Sequence, residues 1–498
     1  MSKDLFDYDD SKVESVLEYS ERLLNRKFSE LMEEYRKSPY KTYQDYVNKT
    51  VSTMDDKPIS MRSKGQYGNY IEKYFFGYLP NNDSTPDFEK IGVELKVTPF
   101  KINKNGTISA KERLVLNILN YETENLDDFY KTHLWQKCQN LLLLFYNGLI
   151  SGQTMEDYSI EKIFLYEWFE EDMAVILEDY QKITKKIKDG NAHQLSESDG
   201  KYLSTCTKGE GHGKDFRKQP FGNELAKQRA WELKASYMTN LIRNRIFNQG
   251  GQEDESITET SRGKEKSFTK IIEERISVYK GCSESELYKL FKVNPKAKGK
   301  NSILIRKILG LTGDIEKTQE FQKANMNLRV IRVDKEGLPK EDSPFKTYQF
   351  KELSENDNWE DSQPYLEIFS KQFLFVVFKE IEPKLFVLDS MKFWGFPDSQ
   401  IEELQRVWQE TRNIIKNSVK LTFQNNRVST NFPQSRVNQV IFTKIHASNS
   451  YYEIEKGKFV GKGKLSDTDE LPNGLRITKH SFWMTKKFLK EVLEGKWD

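Results

Sequence analysis

The sequence predicts an α/β protein built as two tandem domains, each a mixed central sheet flanked by helices. Three observations carry this expectation. The chain has 498 residues, too many for one compact core. Short strand-like apolar runs stand among amphipathic helical stretches. The second half repeats segments of the first in the same order.

Residues 13–37, VESVLEYSERLLNRKFSELMEEYRK, place apolar side chains at helical spacing among charges and read as amphipathic helices. GNYIEKYFFGYL (68–79) reads as a further helix with a buried aromatic face. IGVELKVTPF (91–100), LLLLFY (141–146) and KIFLYEWF (162–169) read as strands, and MAVILEDYQKITKKIKDG (173–190) as a helix stopped at Gly190. NQGGQEDESITETSRG (248–263) lacks aromatics and is rich in Gly, Ser, Thr and acids, which is linker composition. The expected domains are therefore 1–247 and 264–498.

The internal repeat rests on four matched pairs. KGQYGNYIEKYFFG (64–77) lines up with KGKNSILIRKILG (298–310), and DFEKIGVELKVTPF (87–100) with EFQKANMNLRVIRV (320–333). KCQNLLLLF (137–145) lines up with SKQFLFVVF (370–378), and AWELKASYMT (230–239) with ITKHSFWMT (477–485). Four matches in one order point to a duplication.

Composition narrows the class. The net charge of +2 comes from 78 basic and 76 acidic side chains, a sum in which a basic nucleic-acid face is easily hidden. Three cysteines, Cys138, Cys206 and Cys282, form no CxxC pair, which argues against a disulfide framework and a structural zinc site and suits a reducing cytoplasm. No secretory signal is read in MSKDLFDYDD, and no apolar run reaches a membrane span, so no membrane is expected.

The chemistry concentrates at TPDFEKIGVELKV (85–97). Alternation sends Ile91, Val93, Leu95 and Val97 toward a core and Glu94 and Lys96 to the opposite face. Asp87 follows Pro86, six intervening residues before Glu94. This is the PD-(D/E)xK arrangement of many nucleases. Two carboxylates about 4 Å apart repel by roughly 4 kcal/mol at an effective dielectric near 20, so a site that keeps both ionised wants a divalent cation. Oxygen ligands suit Mg²⁺, which polarises a phosphoryl oxygen, while a lysine ammonium orients the attacking water. The plainer reading of Glu-x-Lys is a solvated strand face; WELK (231–234) has no Pro-Asp before it and reads that way.

KGQYGNYIEKYFFG, DFEKIGVELKV and HLWQKCQNLLLLF, in that order, resemble the MutH family of GATC-directed endonucleases. With its degenerate second copy, nearly the whole chain resembles the larger type II restriction enzymes of that family. The resemblance implies two restriction-endonuclease-like domains. It implies Asp87 and Glu94 as metal ligands, Glu72 as a third acid near the metal, Lys96 as the water-positioning lysine and Lys137 as a further catalytic lysine. Alone, Glu72 reads as a helix-surface acid, Lys137 as a solvated charge and His133 as a packing or hydrogen-bonding histidine. Lys64, Lys208 and Lys234 match family positions close to DNA, although Lys64 alone is an ordinary loop lysine. The segment 200–245 mixes basic residues with glycines and aromatics, as groove contact requires. Glu232 stands where the family carries a tyrosine tied to adenine methylation, so that sensing is in doubt.

In the second copy Glu72, Asp87, Glu94, Lys96 and Lys137 become Arg306, Glu320, Asn327, Arg329 and Ser370. Such a cluster loses Mg²⁺ but suits a DNA phosphate through Arg306 and Arg329. KVNPKAKGKNSILIRK (292–307) adds six basic residues and no acid. The plainer reading is a domain that merely buttresses the first. The expectation is a Mg²⁺-dependent endonuclease cutting both strands of double-stranded DNA at GATC to give 5′-phosphates. Its silent domain would bind a second site as an allosteric activator, with a DNA-induced dimer left open. The alternatives are a MutH-like repair nickase and a non-catalytic GATC-binding regulator.

Overall fold

A computed structural model describes residues 5–51, 66–78, 85–148, 155–209, 215–249, 255–259, 266–424 and 427–498. It is a mixed α/β structure of two compact units: Met1–Leu195 with Gly200–Asp254, and Ser196–Asp199 with Glu255–Asp498.

In unit 1, β1 (Val93–Ile102) pairs antiparallel with β2 (Ile108–Ala110). β3 (Leu114–Leu119) belongs to a second sheet. β4 (Asn140–Asn147) runs parallel to β1, and β5 (Ile160–Glu167) closes the first sheet antiparallel to β4, giving the order β2-β1-β4-β5. In β4, Leu141 through Phe145 are fully buried, because this central strand is paired on both edges and covered on both faces. Val93, Leu95, Leu142, Leu144 and Tyr146 join an aromatic core with Tyr19, Phe28, Tyr35, Tyr67 and Tyr74 from the amino-terminal helices. The second sheet orders β3-β9-β6, with β6 (Leu203–Thr207) and β9 (Arg229–Leu233); β7 (Phe216–Arg217) and β8 (Ala226–Lys227) form a hairpin.

Unit 2 has the same order of parts. β10 (Met326–Val333) runs parallel to β12 (Gln372–Glu382), which pairs antiparallel with β13 (Leu385–Gly395). β11 (Ser343–Thr347) starts the second sheet. Hairpins join β14 (Leu421–Gln424) to β15 (Arg427–Thr430), β17 (Tyr451–Glu455) to β18 (Lys458–Gly461), and β19 (Thr468–Glu470) to β20 (Arg476–Thr478). β16 (Ile441–Ile445) and β21 (His480–Met484) complete the second sheet in the order β11-β21-β16. In each unit a long helix follows the last strand of the first sheet, Glu170–Lys188 after β5 and Ile401–Asn417 after β13.

Several expectations need adjustment. Residues 13–37 form helices Val13–Ser20 and Phe28–Lys37, broken where Asn25 takes a positive φ of 58°. The aromatic helix starts at Gln66, loosens into a π turn over Glu72–Phe76 and ends at Gly77, whose φ of +77° is a left-handed cap. The helix expected over 173–190 spans Glu170–Lys188, with Gly190 beyond it at φ +77°. The expected linker is not all linker: Ile257 is buried in unit 2, and Ser256, Ile257 and Thr258 all hydrogen-bond to Glu320. The last sequence match is out of step. β9 ends one residue before the helix cap Lys234 and β21 one residue before the cap Thr485, so Thr485 corresponds to Lys234 and not to Thr239.

Candidate active site

The acidic cluster is assembled by a tight turn. Glu89–Ile91 form a single 3₁₀ turn that ends at Gly92, whose φ of +64° reverses the chain into β1. Phe88 and Val93 exchange backbone hydrogen bonds across the turn. Asp87 is thereby folded onto Glu94: its amide donates to Glu94 Oε2 at 3.2 Å, and the Leu95 amide donates to Asp87 Oδ2 at 2.8 Å. The Pro-Asp and Glu-x-Lys halves of the motif are one structural unit.

Glu94 is buried at 3% exposure, not presented on an open face. Two ammonium groups compensate it. Lys96 Nζ donates to Oε1 at 2.6 Å, and Lys137 Nζ lies 3.6 Å from the same oxygen. Lys137 arrives from the helix His133–Cys138, capped by Thr132, which leads into β4 beside β1. Glu72 comes from the π turn. Burial raises its carboxyl pKa, the Glu94 charge raises it further, and Lys96 and Lys137 oppose the rise. Burial, then the Glu94 and Glu72 charges, push Asp87 up to about 7. Lys96 is raised: burial works against its charge, and the Glu94 carboxylate outweighs burial. Carboxylates that hold one another's protons are the signature of a site short of positive charge.

This donor set fits a hard divalent cation. Among the described residues no three His, Cys, Asp or Glu side chains converge as a closed metal shell. Asp87 and Glu94, with Glu72 nearby, therefore leave room for waters and a substrate oxygen, the coordination Mg²⁺ prefers.

The remaining sequence candidates fall elsewhere. Lys64 lies outside the described residues. Lys208 follows β6, its amide bonded to the Gln228 carbonyl, and Lys234 caps the helix after β9. The hairpin between them exposes Phe216, Phe221 and Leu225 beside Arg217 and Lys218. His133 is structural: its amide donates to Glu124 Oε1 at 2.8 Å, and Glu124 Oε2 accepts from Trp231 Nε1. Glu232 is buried in β9, 3.4 Å from Arg113 Nε.

Two assignments in the second copy are overturned. Glu320 does not occupy the place of Asp87; its carboxylate is consumed by residues 256–258. The acid that accepts from the Leu328 amide, as Asp87 accepts from Leu95, is Glu316, at 3.2 Å. Nor is Ser370 the successor of Lys137 in function. Its hydroxyl bonds the Leu366 carbonyl, and the next residue, Lys371, carries an ammonium to Asn325 Oδ1 at 2.6 Å. Sequence reasoning missed both Glu316 and Lys371.

Geometry of this kind belongs to metal-assisted phosphodiester hydrolysis, and the comparisons agree in class. Residues 76–179 match the sequence model described as "DNA mismatch repair enzyme MutH", a span that includes Asp87, Glu94, Lys96 and Lys137. Over 493 aligned residues the chain is 31% identical to the type II restriction enzyme Sau3AI of Staphylococcus aureus, covering 93% of this chain and 99% of that one. The chain belongs to the Sau3AI-like, MutH-related family of type II restriction endonucleases. It is an endonuclease whose substrate is DNA, and no helix among the described residues is long and apolar enough to cross a membrane.

Proposed function

We propose that this chain hydrolyses both strands of double-stranded DNA at GATC in a Mg²⁺-dependent reaction that leaves 5′-phosphate ends. The observation that carries the reading is the buried Glu94 carboxylate, bonded to the Asp87 amide on one oxygen and flanked by Lys96 and Lys137 on the other. Asp87 and Glu94, with Glu72 behind them, hold the cation, which when bound supplies Lewis-acid polarisation of the scissile phosphate. Lys96 and Lys137 stay protonated beside the carboxylates, orient the attacking water and steady charge that grows on the phosphate oxygens. Burial of Glu94 keeps bulk water away from these charges, which strengthens each of them.

Lys208 and Lys234 contact DNA from the second sheet of unit 1, with Lys64 added from the preceding loop. The GATC specificity comes from the likeness to the family. The two units are tandem endonuclease-like domains, one catalytic and one degenerate; unit 2 binds a second site and activates the first. The shared order of β1-β4-β5 and β10-β12-β13 supports this, as do the acid-to-amide contacts at Leu95 and Leu328. Arg306 and Arg329 are its candidate DNA contacts.

Plasmid DNA incubated with the protein and Mg²⁺, followed by sequencing of the fragment ends, tests the proposal. Fragments should begin and end at GATC with 5′-phosphates. Ends at another sequence would remove the specificity, and duplex binding without any cleavage would remove the activity.

A further inference from the structure

Unit 2 has not simply lost the metal site; it has reversed its charge. In unit 1 three carboxylates (Glu72, Asp87, Glu94) face two ammoniums (Lys96, Lys137). In unit 2 the groups acting on Lys371 are Arg329 and Lys346 on one side and Glu316 and Glu367 on the other, so three cations face two carboxylates. Both carboxylates have other work. Glu367 is 2.9 Å from Lys346, and Glu316 accepts from the Leu328 amide. Asn327, uncharged, stands where Glu94 would draw in a metal.

The backbone around these cations keeps the geometry of the metal site. Asn325 takes a φ of 52° where Gly92 takes 64°, each one residue before the strand. Asn325 has the side chain that Gly92 lacks and uses it to hold the entrance of β12. Its Nδ2 donates to the Ser370 carbonyl at 3.1 Å, and its Oδ1 accepts from Lys371 Nζ. Lys371 is thus fixed at the mouth of the parallel pair. Arg329, two residues past Asn327, lies with its guanidinium 5.6 Å from the Phe345 ring centre, and its buried Nε has no hydrogen-bond acceptor. Among the described residues neither Arg329 nor Lys371 has a carboxylate within ion-pair distance. Burial holds both below their ordinary pKa values, as expected for cations still short of a counter-charge. A buried guanidinium N–H without an acceptor is costly, and phosphate oxygen is the acceptor its geometry suits.

We propose that Arg329 and Lys371 form a metal-independent clasp for a phosphate group, set where unit 1 sets its acidic pair, and that a backbone phosphate of DNA bound to unit 2 is its occupant. The clasp stands on the geometry of unit 2; only its occupant rests on the proposed role of that unit.

Inorganic phosphate is the probe. In EDTA, phosphate should raise the melting temperature of the full-length protein and, equally, of Glu94→Ala, which separates this site from the acidic one. Arg329→Met and Lys371→Met should each weaken that phosphate affinity by about tenfold or more, the worth of one charge-assisted hydrogen bond. Lys371→Arg, which keeps the charge, should retain most of it, so a folding defect is not mistaken for loss of the clasp. No phosphate effect in the wild type, or the same effect in both methionine variants, would overturn the clasp. A GATC oligonucleotide should compete with phosphate, and stimulation of one-site plasmid cleavage by that oligonucleotide should fall in both methionine variants. Phosphate binding without competition, or stimulation undiminished in both variants, would overturn DNA as the occupant. The phosphate measurements need no cleavage, so they remain decisive even if the proposed activity fails.

Discussion

Replacing Lys96 by methionine should separate metal binding from catalysis. At the distances of 2.6 and 3.6 Å, Lys96 and Lys137 attract Glu94 Oε1 with gross energies of about 6 and about 5 kcal/mol at an effective dielectric near 20. A metal ion has to share that oxygen with both. If a quarter of the Lys96 figure survives solvent and relaxation, Lys96→Met tightens divalent binding by about tenfold. The measurement belongs at a pH well above about 7, where Asp87 is ionised in both proteins and proton competition drops out. Cleavage should move the other way and fall by about 10² to 10⁴, the usual worth of a positioned proton-handling group. Mn²⁺ titration by calorimetry reads the first quantity and single-turnover cleavage the second. Parallel loss of metal and activity would refute the reasoning, since Lys96 would then be needed to hold the acidic pair in place.

Glu94→Ala should abolish cleavage while duplex binding in Ca²⁺-free buffer persists, because the lost group faces cations and not bases; a filter-binding assay that shows neither would point to a collapsed site. The Asp87 pKa of about 7 lies above its ordinary 3.8, so the folded protein holds a proton that the unfolded chain has released. From this group, stability in EDTA should rise as pH is lowered from about 7 toward 4, and saturating Mg²⁺ should flatten that rise; melting curves across pH check it. Glu124→Ala strips the acceptor from the Asn125 and His133 amides and from Trp231 Nε1, and should cost about 3 kcal/mol in denaturant unfolding. Lys208→Ala should weaken specific DNA binding by about 1–3 kcal/mol if it reads a base edge; an equal loss on all sequences with a smaller salt slope would mark a phosphate contact instead.

The catalytic cluster was legible because its chemistry is local. Asp87, Glu94 and Lys96 lie within ten residues, and a single turn closes them, so their spacing carries their geometry. Lys137 was legible through family likeness, since nothing local brings a helix end 41 residues away onto Glu94. The second copy misled at two points for physical reasons. EFQK matches DFEK as a string, but Glu320 sits in a helix, Gln319–Lys323, that turns it toward residues 256–258. Glu316, four residues earlier, reaches the strand instead. Lys371 was hidden by register: Val93 pairs with Asn140, but Met326 pairs with Gln372, one residue earlier than the sequence match requires. A one-residue step changes which side chain faces the site. Burial of Glu94 beneath two lysines was also beyond pattern reading, which marks a face but not its cover.

The central claim is that one acidic site, in unit 1, binds the divalent ion and cuts DNA while unit 2 cannot bind that ion. Mn²⁺ binding followed by electron paramagnetic resonance, on wild type and on Asp87→Asn/Glu94→Gln, measures this directly, with DNA cleavage recorded on the same samples. Specific Mn²⁺ binding and cleavage should vanish together in the double variant. A tight Mn²⁺ site that survives there, or cleavage that does, would contradict the account.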